Sequence, residues 1–202
     1  ISPRAELHYL PGTIWIPSGL RTREQLQKAL YPLAAPFVAQ VDKEMLRFGG
    51  TVHRDNLEAW WAIVHEMLTD PGFRAEDFAR IRQQQVNAVR DSLRANNDEE
   101  LGKELLYEQV YGDAHPYGRL TSGHAGDLES ITLDDVRRFH RTQLVRGRLT
   151  LALAGGYDDA VRDRIWSSTM RLEYIPRNTP PLPEAGPPAA ITAHRALIVA
   201  KE

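Results

Sequence analysis

Cysteine is absent from the 202 residues of the chain, so neither disulfide bonds nor thiolate chemistry is available to it. No apolar run approaches the roughly 20 residues that a membrane-spanning helix needs. The 25 Lys and Arg residues and the 27 Asp and Glu residues nearly balance, for a net charge of −2. A chain with this balance has no general basic field. We therefore expect no membrane span and no nucleic-acid partner.

Histidines at metal-binding spacing are also missing. No two of the seven stand three to five residues apart, so neither an H-E-x-x-H nor an H-x-x-E-H zinc helix exists. His65-Glu66 comes nearest to such a motif, and we interpret His65 as an ordinary helix residue rather than as part of a long-range site with His53. The sequence also lacks a G-x-S-x-G nucleophile elbow and the glycine-rich loops that hold phosphates. We predict that this chain alone catalyses nothing.

What the sequence does contain is a succession of amphipathic segments with clear start and stop signals. The predicted helices are 23–34 with Thr22 as its N-cap, 57–69 capped by Asn56, 76–95, a helix opened by Asp98-Glu99-Glu100 with Leu101, Leu105, Leu106 and Val110 buried, one that starts with a capping-box-like pair of Thr132 and Asp135 and runs to about Gln143, and one from Asp158-Asp159 through Trp166. A loop rich in Gly, His and Pro is predicted from Gly112 to Gly126. Strand-like patterns lie between Phe37 and Val52 and over Leu149–Ala154. No strand–helix–strand rhythm connects them. We predict an α+β fold, with a mostly antiparallel sheet packed against several helices.

The two ends of the chain look like boundaries of a fragment. Residues 176–190 are rich in proline and predict an extended linker. The apolar run at 196–200 predicts a strand with almost nothing after it. We expect one α+β domain over residues 1–175, whose N-terminal strands could lie outside the chain, then the linker, then the first strand of a following domain over 191–202.

Three smaller features have structural interpretations. Gly49-Gly50 lies inside a strand-like run and predicts a bulge or close packing. The acidic cluster of Asp98, Glu99, Glu100 and Glu104 is interpreted as a helix N-terminus that faces water. Trp60-Trp61 is interpreted as core plus a packing surface for a neighbouring domain.

One ordered set of motifs is specific. Pro71-Gly72-Phe73 precedes a long helix, His115-Pro116-Tyr117-Gly118 follows it, and Leu128–Val136 and Leu151–Gly156 come next. From about residue 35 to 170 this order resembles the pitrilysin/insulinase family of zinc metallopeptidases, which includes the mitochondrial processing peptidases and their inactive relatives. The resemblance implies an α+β domain that pairs with a second domain of the same fold. Such pairs build a chamber that encloses unfolded peptides.

The active members of that family hold zinc with two histidines of an H-x-x-E-H helix and a glutamate roughly 75 residues later. On this pattern Asp91 stands near the distal glutamate and His8 near the first histidine. Pro11 and Gly12 stand where the general base and the second histidine are expected. The resemblance therefore implies remnants at His8 and Asp91 but no intact zinc site. We expect no cofactor in this chain, although active relatives carry zinc.

Active relatives also bind peptide as an added strand along a sheet edge. The matching segment here is 38–44, which makes Ala39 and Gln40 candidates for contact with a peptide. Strand addition uses backbone N–H and C=O groups, so it does not require the family's side chains. An ordinary strand is the alternative interpretation of this segment.

Three functions remain open at this point. The leading hypothesis is a degenerate or partial domain of the family that binds peptide or forms half of a paired assembly without hydrolysis. The second is a fragment of an active zinc endopeptidase whose ligands lie outside the chain. The third is a purely structural subunit of the same fold.

Overall fold

The computed structural model describes residues 18–112 and 115–172, together with Gly186, Pro187, Ala190, Ala196 and Ile198. His8, most of the predicted linker and the predicted strand at 196–200, apart from Ala196 and Ile198, lie outside the described residues. The described part consists of several helices and one small two-stranded sheet. The elements in chain order are α1 (Arg23–Leu30), β1 (Val38–Val41), β2 (Leu46–Gly49), α2 (Leu57–Thr69), α3 (Ala75–Asn87), α4 (Asp98–Tyr111), α5 (Ala125–Ser130), α6 (Leu133–Gln143) and α7 (Asp159–Thr169).

The two strands form an antiparallel hairpin in which Ala39 is opposite Phe48 and Val41 is opposite Leu46. This confirms the predicted α+β class. The described residues contain no helix long and apolar enough to cross a membrane.

Two apolar clusters hold the described elements together. The first joins α1, the segment that leads into β1, and α2, and its buried members are Leu26, Leu30, Ala35, Phe37, Trp60, Ile63, Val64 and Met67. The second joins α3 to α5 through Val86, Val89, Leu128 and Ile131. The first cluster lies directly beside the hairpin and fixes the start of β1.

Several helix starts follow the predicted capping chemistry. Thr22 and Thr132 each form a capping box with the residue three positions on, and the Asp158 side chain accepts a hydrogen bond from the Val161 N–H. Asn56 does not cap α2 as predicted. Its amide instead donates to the Leu33 carbonyl at 3.3 Å, because a short 3₁₀ turn at Arg54–Asn56 already leads into the helix.

The helix predicted over 76–95 is confirmed in extent, as α3 followed directly by a π-helical turn, Ala88–Ala95. Three other predictions were wrong in detail. Leu106 is exposed rather than buried. The loop predicted from Gly112 to Gly126 contains a 3₁₀ turn at Pro116–Gly118 and the start of α5.

Leu149–Ala154 is not a strand, although its side chains alternate between half-buried and exposed. A strand needs a hydrogen-bonded neighbour, and no strand in the described part of the chain pairs with this segment.

Candidate functional site

The hairpin that carries Ala39 and Gln40 has one set of backbone groups directed away from its partner strand. The Asp42 N–H donates to the Met45 carbonyl at 3.1 Å, which makes these two residues a hydrogen-bonded pair. Antiparallel ladders alternate, so Gln40 also bonds to β2 while Ala39 and Val41 direct their N–H and C=O groups outward. Among the described residues β1 pairs only with β2. This outward row of backbone groups, on Ala39 and Val41, is called the β1 edge below.

The two faces of the hairpin differ in burial. Ala39 is buried, whereas Gln40 is exposed and Val38 is 44% exposed. Met45 is exposed on the same face as Gln40, because it lies opposite Asp42, and Asp42 is two residues from Gln40. A strand added at the β1 edge would therefore meet backbone from Ala39 and side chains from the face of Gln40.

The turn of the hairpin is held by its own aspartate. Asp42 Oδ1 accepts hydrogen bonds from the backbone N–H groups of Glu44 and Met45, both at 2.8 Å. The bond from the Glu44 N–H, aided by the Met45 N–H, lowers the pKa of Asp42 below its ordinary value. The carboxylate form is thus the one that stabilises the turn.

A lysine in the same turn contacts two distant segments. Lys43 Nζ lies 2.6 Å from Glu104 Oε2 in α4, and it also donates to the Arg119 carbonyl. The Tyr107 ring lies beneath the ammonium group, 5.5 Å from Nζ to the ring centroid. Glu104 is consequently half-buried, and the prediction that the whole acidic cluster faces water was wrong for this residue.

The His-Pro-Tyr-Gly motif packs against the other side of this turn. The Tyr117 hydroxyl donates to Glu44 Oε1 at 2.5 Å, and this bond raises the pKa of Tyr117. Buried His115 accepts the Tyr117 backbone N–H at Nδ1, 3.1 Å away, and its ring lies 4.7 Å from that of Tyr111. The motif thereby shapes a loop whose tyrosine reaches the hairpin.

The far end of the hairpin is fixed by close packing at Gly50. A Cβ on Gly50 would lie 2.0 Å from the Pro36 carbonyl oxygen and 2.8 Å from Trp60 Cζ2. Of the two predictions for Gly49-Gly50, a bulge or close packing, this contact is the close packing. Neighbouring Gly49 has open space at the same position. The hairpin is therefore held at both ends, by Gly50 near its base and by Lys43 and Glu44 at its turn.

The other predicted positions do not join this site. Asp91 is exposed in the π-helical turn, where its carbonyl accepts a hydrogen bond from the Asn96 amide at 2.5 Å. His53 is exposed beside Asp55, and His65 Nε2 lies 2.9 Å from the Ser168 carbonyl, so the two histidines have separate roles. In the described part of the chain no three His, Asp or Glu residues are grouped so that they could hold a metal ion.

A groove lies between α2 and α7. It encloses about 430 Å³ and is lined in part by Trp61, His65, Arg164 and Ser168. The Trp61 indole N–H donates to Ser168 Oγ at 2.7 Å, and Arg164 pairs with Glu58 across the groove. Trp60 belongs to the core, as predicted, while Trp61 closes this helix–helix contact.

Known proteins share this architecture. A structure described as the peptidase M16 inactive domain from Pseudomonas fluorescens matches 93% of this chain and 43% of that chain, with a TM-score of 0.73 and 23% identity. The fold is that of a peptidase M16 domain. A protease from Helicobacter pylori has the same fold over 91% of this chain and 42% of its own, with a TM-score of 0.64 and 14% identity.

One curated sequence relative agrees with this assignment of the M16 fold. The probable beta subunit of the mitochondrial-processing peptidase of Arabidopsis thaliana is 22% identical over 191 residues, which are 92% of this chain. The predicted resemblance to the pitrilysin/insulinase family is confirmed. No protein-family profile matches the chain. The chain spans about a third of the length of the plant relative and less than half of each solved chain.

The contacts that hold the hairpin in this M16 fold include a pair that the sequence analysis missed. Lys43 and Glu104 are 61 residues apart, and no local pattern connects them. Glu104 does follow Leu101 by three positions and so lies near the buried side of α4. An acid at such a position needs a cationic or hydrogen-bonding partner. The position of Glu104 could therefore have indicated a partner, although not which residue it is.

Proposed function

We propose that this chain is a non-catalytic M16-type domain that offers the β1 edge to an extended peptide, within an assembly that pairs it with a second domain of the same fold. The observation that carries this proposal is the outward row of N–H and C=O groups at Ala39 and Val41 on a hairpin held at both ends. The description of the Pseudomonas fluorescens relative as an inactive domain also supports a non-catalytic role.

An edge that is held in place suits this function because strand addition depends on the backbone. An incoming strand can bond to both groups of Ala39 and of Val41, whatever its own sequence. The exposed face that includes Val38, Gln40 and Met45 would meet alternate side chains of the peptide and supply a modest preference. We retain Ala39 and Gln40 as the proposed peptide contacts and add Val41.

Peptide binding is tested by fluorescence anisotropy with a fluorescein-labelled, unfolded peptide of alternating valine and serine. Val41→Pro removes one outward N–H while leaving the β1–β2 hydrogen bonds in place, since proline is tolerated where a strand N–H faces away from the ladder. We expect the Kd to rise about tenfold. Gln40→Ala is the comparison variant: it keeps the backbone and trims one exposed contact side chain, so we expect the Kd to rise by less than about threefold.

Two results would contradict the proposal. The first is unchanged binding by Val41→Pro with an intact circular dichroism spectrum. The second is a loss of binding in Gln40→Ala as large as that in Val41→Pro or larger, which would assign recognition mainly to the side chain and not to the edge.

A second candidate function is a fragment of an active zinc endopeptidase whose ligands are on other residues. The observation in its favour is that the chain spans only a third of its plant relative. The test is made on the longer protein that this hypothesis requires: its zinc content after dialysis, followed by its cleavage of a quenched-fluorescent peptide with and without a chelator. Stoichiometric zinc with chelator-sensitive cleavage would favour the endopeptidase. Absence of both would contradict it.

A further inference from the structure

The side chain of Lys43 is unusually enclosed for a lysine in a hairpin turn. Only 14% of it is exposed, and its partner carboxylate on Glu104 is 13% exposed. Lysine is almost never covered to this extent unless its ammonium group is paired. Here the ammonium group has the Glu104 carboxylate, the Arg119 carbonyl and the face of the Tyr107 ring around it.

Glu104 is itself held by more than Lys43. Its Oε1 lies 3.3 Å from the Thr121 hydroxyl, and its Oε2 lies 3.4 Å from the Thr121 N–H. The carboxylate therefore connects α4 to the segment that follows the Tyr117 loop. Lys43 contacts both of these elements, across 61 residues to Glu104 and 76 to Arg119.

The hairpin depends on such contacts for its position. A two-stranded hairpin is marginally stable by itself. Glu44 contributes a second contact through Tyr117, but that hydrogen bond is on the exposed side of the turn. Lys43 is two residues from Val41, so the enclosed contact is next to the β1 edge.

We propose that Lys43 is a positioning residue for the β1 edge, acting through Glu104 and the Arg119 carbonyl. This inference depends on the proposed peptide-binding function. An edge that is already in place binds a strand without the entropic cost of ordering the hairpin first. Without the ammonium group the hairpin would be docked for only part of the time. The apparent affinity would then be the intrinsic affinity multiplied by the docked fraction.

The test compares Lys43→Met with Lys103→Met in the full chain. Both changes remove one positive charge, but Lys103 is an exposed residue of α4 that pairs with Glu99 and Glu100. We expect Lys43→Met to raise the Kd for the alternating valine–serine peptide about tenfold, as for a hairpin docked one-tenth of the time. Lys103→Met should leave the Kd within about twofold, as expected for an exposed pair.

Hydrogen exchange of the free protein supplies a measurement that does not need the peptide. We expect faster amide exchange over Val38–Val41 in Lys43→Met, with exchange in α6 unchanged, because only the hairpin is released. Unchanged exchange over Val38–Val41 would overturn the inference whatever the peptide does. Faster exchange with an unchanged Kd would overturn it too. Failure of the wild-type chain to bind any peptide would instead overturn the proposed function, and the exchange result alone would then decide whether Lys43 positions the hairpin.

A second variant covers the case in which Lys43→Met does not fold. Glu104→Gln keeps the shape of the side chain but removes the charge that faces Lys43. Its amide oxygen can still accept the Thr121 N–H while its NH2 group donates to the Thr121 hydroxyl. If Lys43 acts through Glu104, this variant should show the same faster exchange and weaker binding, and the double variant should show little more than either single one. Fully additive effects on the Kd would contradict the coupling. Lys43→Arg, which keeps the charge, should recover part of the affinity.

Discussion

The indole N–H of Trp61 and the hydroxyl oxygen of Ser168 are 2.7 Å apart, and their hydrogen bond connects α2 to α7. His65 reinforces the contact one turn later, with Nε2 2.9 Å from the Ser168 carbonyl. Ser168 of α7 therefore contacts two side chains of α2, one at its hydroxyl oxygen and one at its carbonyl oxygen. This contact holds the last described helix against the one that follows the hairpin.

Replacing Ser168 with alanine should destabilise the domain by about 1 kcal/mol, because a partly buried indole N–H would lose its acceptor. The free energy of unfolding in urea measures the change. Ser167→Ala is the matched control, since Ser167 is exposed on the same turn of α7. Equal stabilities of the two variants would show that the Trp61 hydrogen bond contributes nothing.

Substitutions at Gly50 and Gly49 provide a second matched comparison, after Ser168 and Ser167. Gly50→Ala would place a methyl group 2.0 Å from the Pro36 oxygen, so the strand or Trp60 must move, and we expect a loss of about 3 kcal/mol. Gly49→Ala meets open space and should change stability by less than about 1 kcal/mol. Thermal unfolding of both variants checks this, and a stable Gly50→Ala would argue against the close packing at the base of the hairpin.

The local features of this fold could be predicted from the sequence, and the distant contacts could not. Thr22 and Thr132 were predicted as helix caps because a capping box involves residues only three positions apart. Leu149–Ala154 has a strand pattern, but a ladder depends on a partner that its own six residues do not specify. The candidate site divides in the same way, since segment 38–44 was recognised by resemblance whereas the contact of Lys43 with Glu104 appears only in the folded chain.

The predicted cap at Thr132 can be tested within its own helix. The Thr132 hydroxyl oxygen accepts the Asp135 N–H at 3.2 Å, and Asp135 returns the contact by accepting the Thr132 N–H at 3.1 Å. Thr132→Ala should cost about 1 kcal/mol of unfolding free energy. Thr142→Ala near the other end of α6 removes an exposed hydroxyl that bonds back to the Arg138 and Phe139 carbonyls and accepts from the Gln143 amide, and we expect less than about 0.5 kcal/mol. A reversed order of the two costs would contradict the role of the capping box.

The turn of the hairpin should make a contribution to stability that depends on pH. Hydrogen bonds from the Glu44 and Met45 N–H groups lower the pKa of Asp42 in the folded chain below its ordinary value of 3.8. A group whose pKa is depressed by folding stabilises the protein fully above its unfolded pKa, and this stabilisation is lost as the pH falls through the folded pKa. Asp42→Asn keeps an oxygen acceptor at the same place but cannot titrate.

We therefore expect the wild-type chain to be more stable than Asp42→Asn at about pH 6, and the difference to shrink as the pH falls to about 3. Urea unfolding of both proteins across that range measures the difference at each pH. A difference that stays constant, or grows on acidification, would show that the Asp42 carboxylate does not stabilise the turn. Since Asp42 directly precedes Lys43, the same titration followed by hydrogen exchange over Val38–Val41 should show the hairpin opening as the carboxylate is protonated, while α6 stays protected.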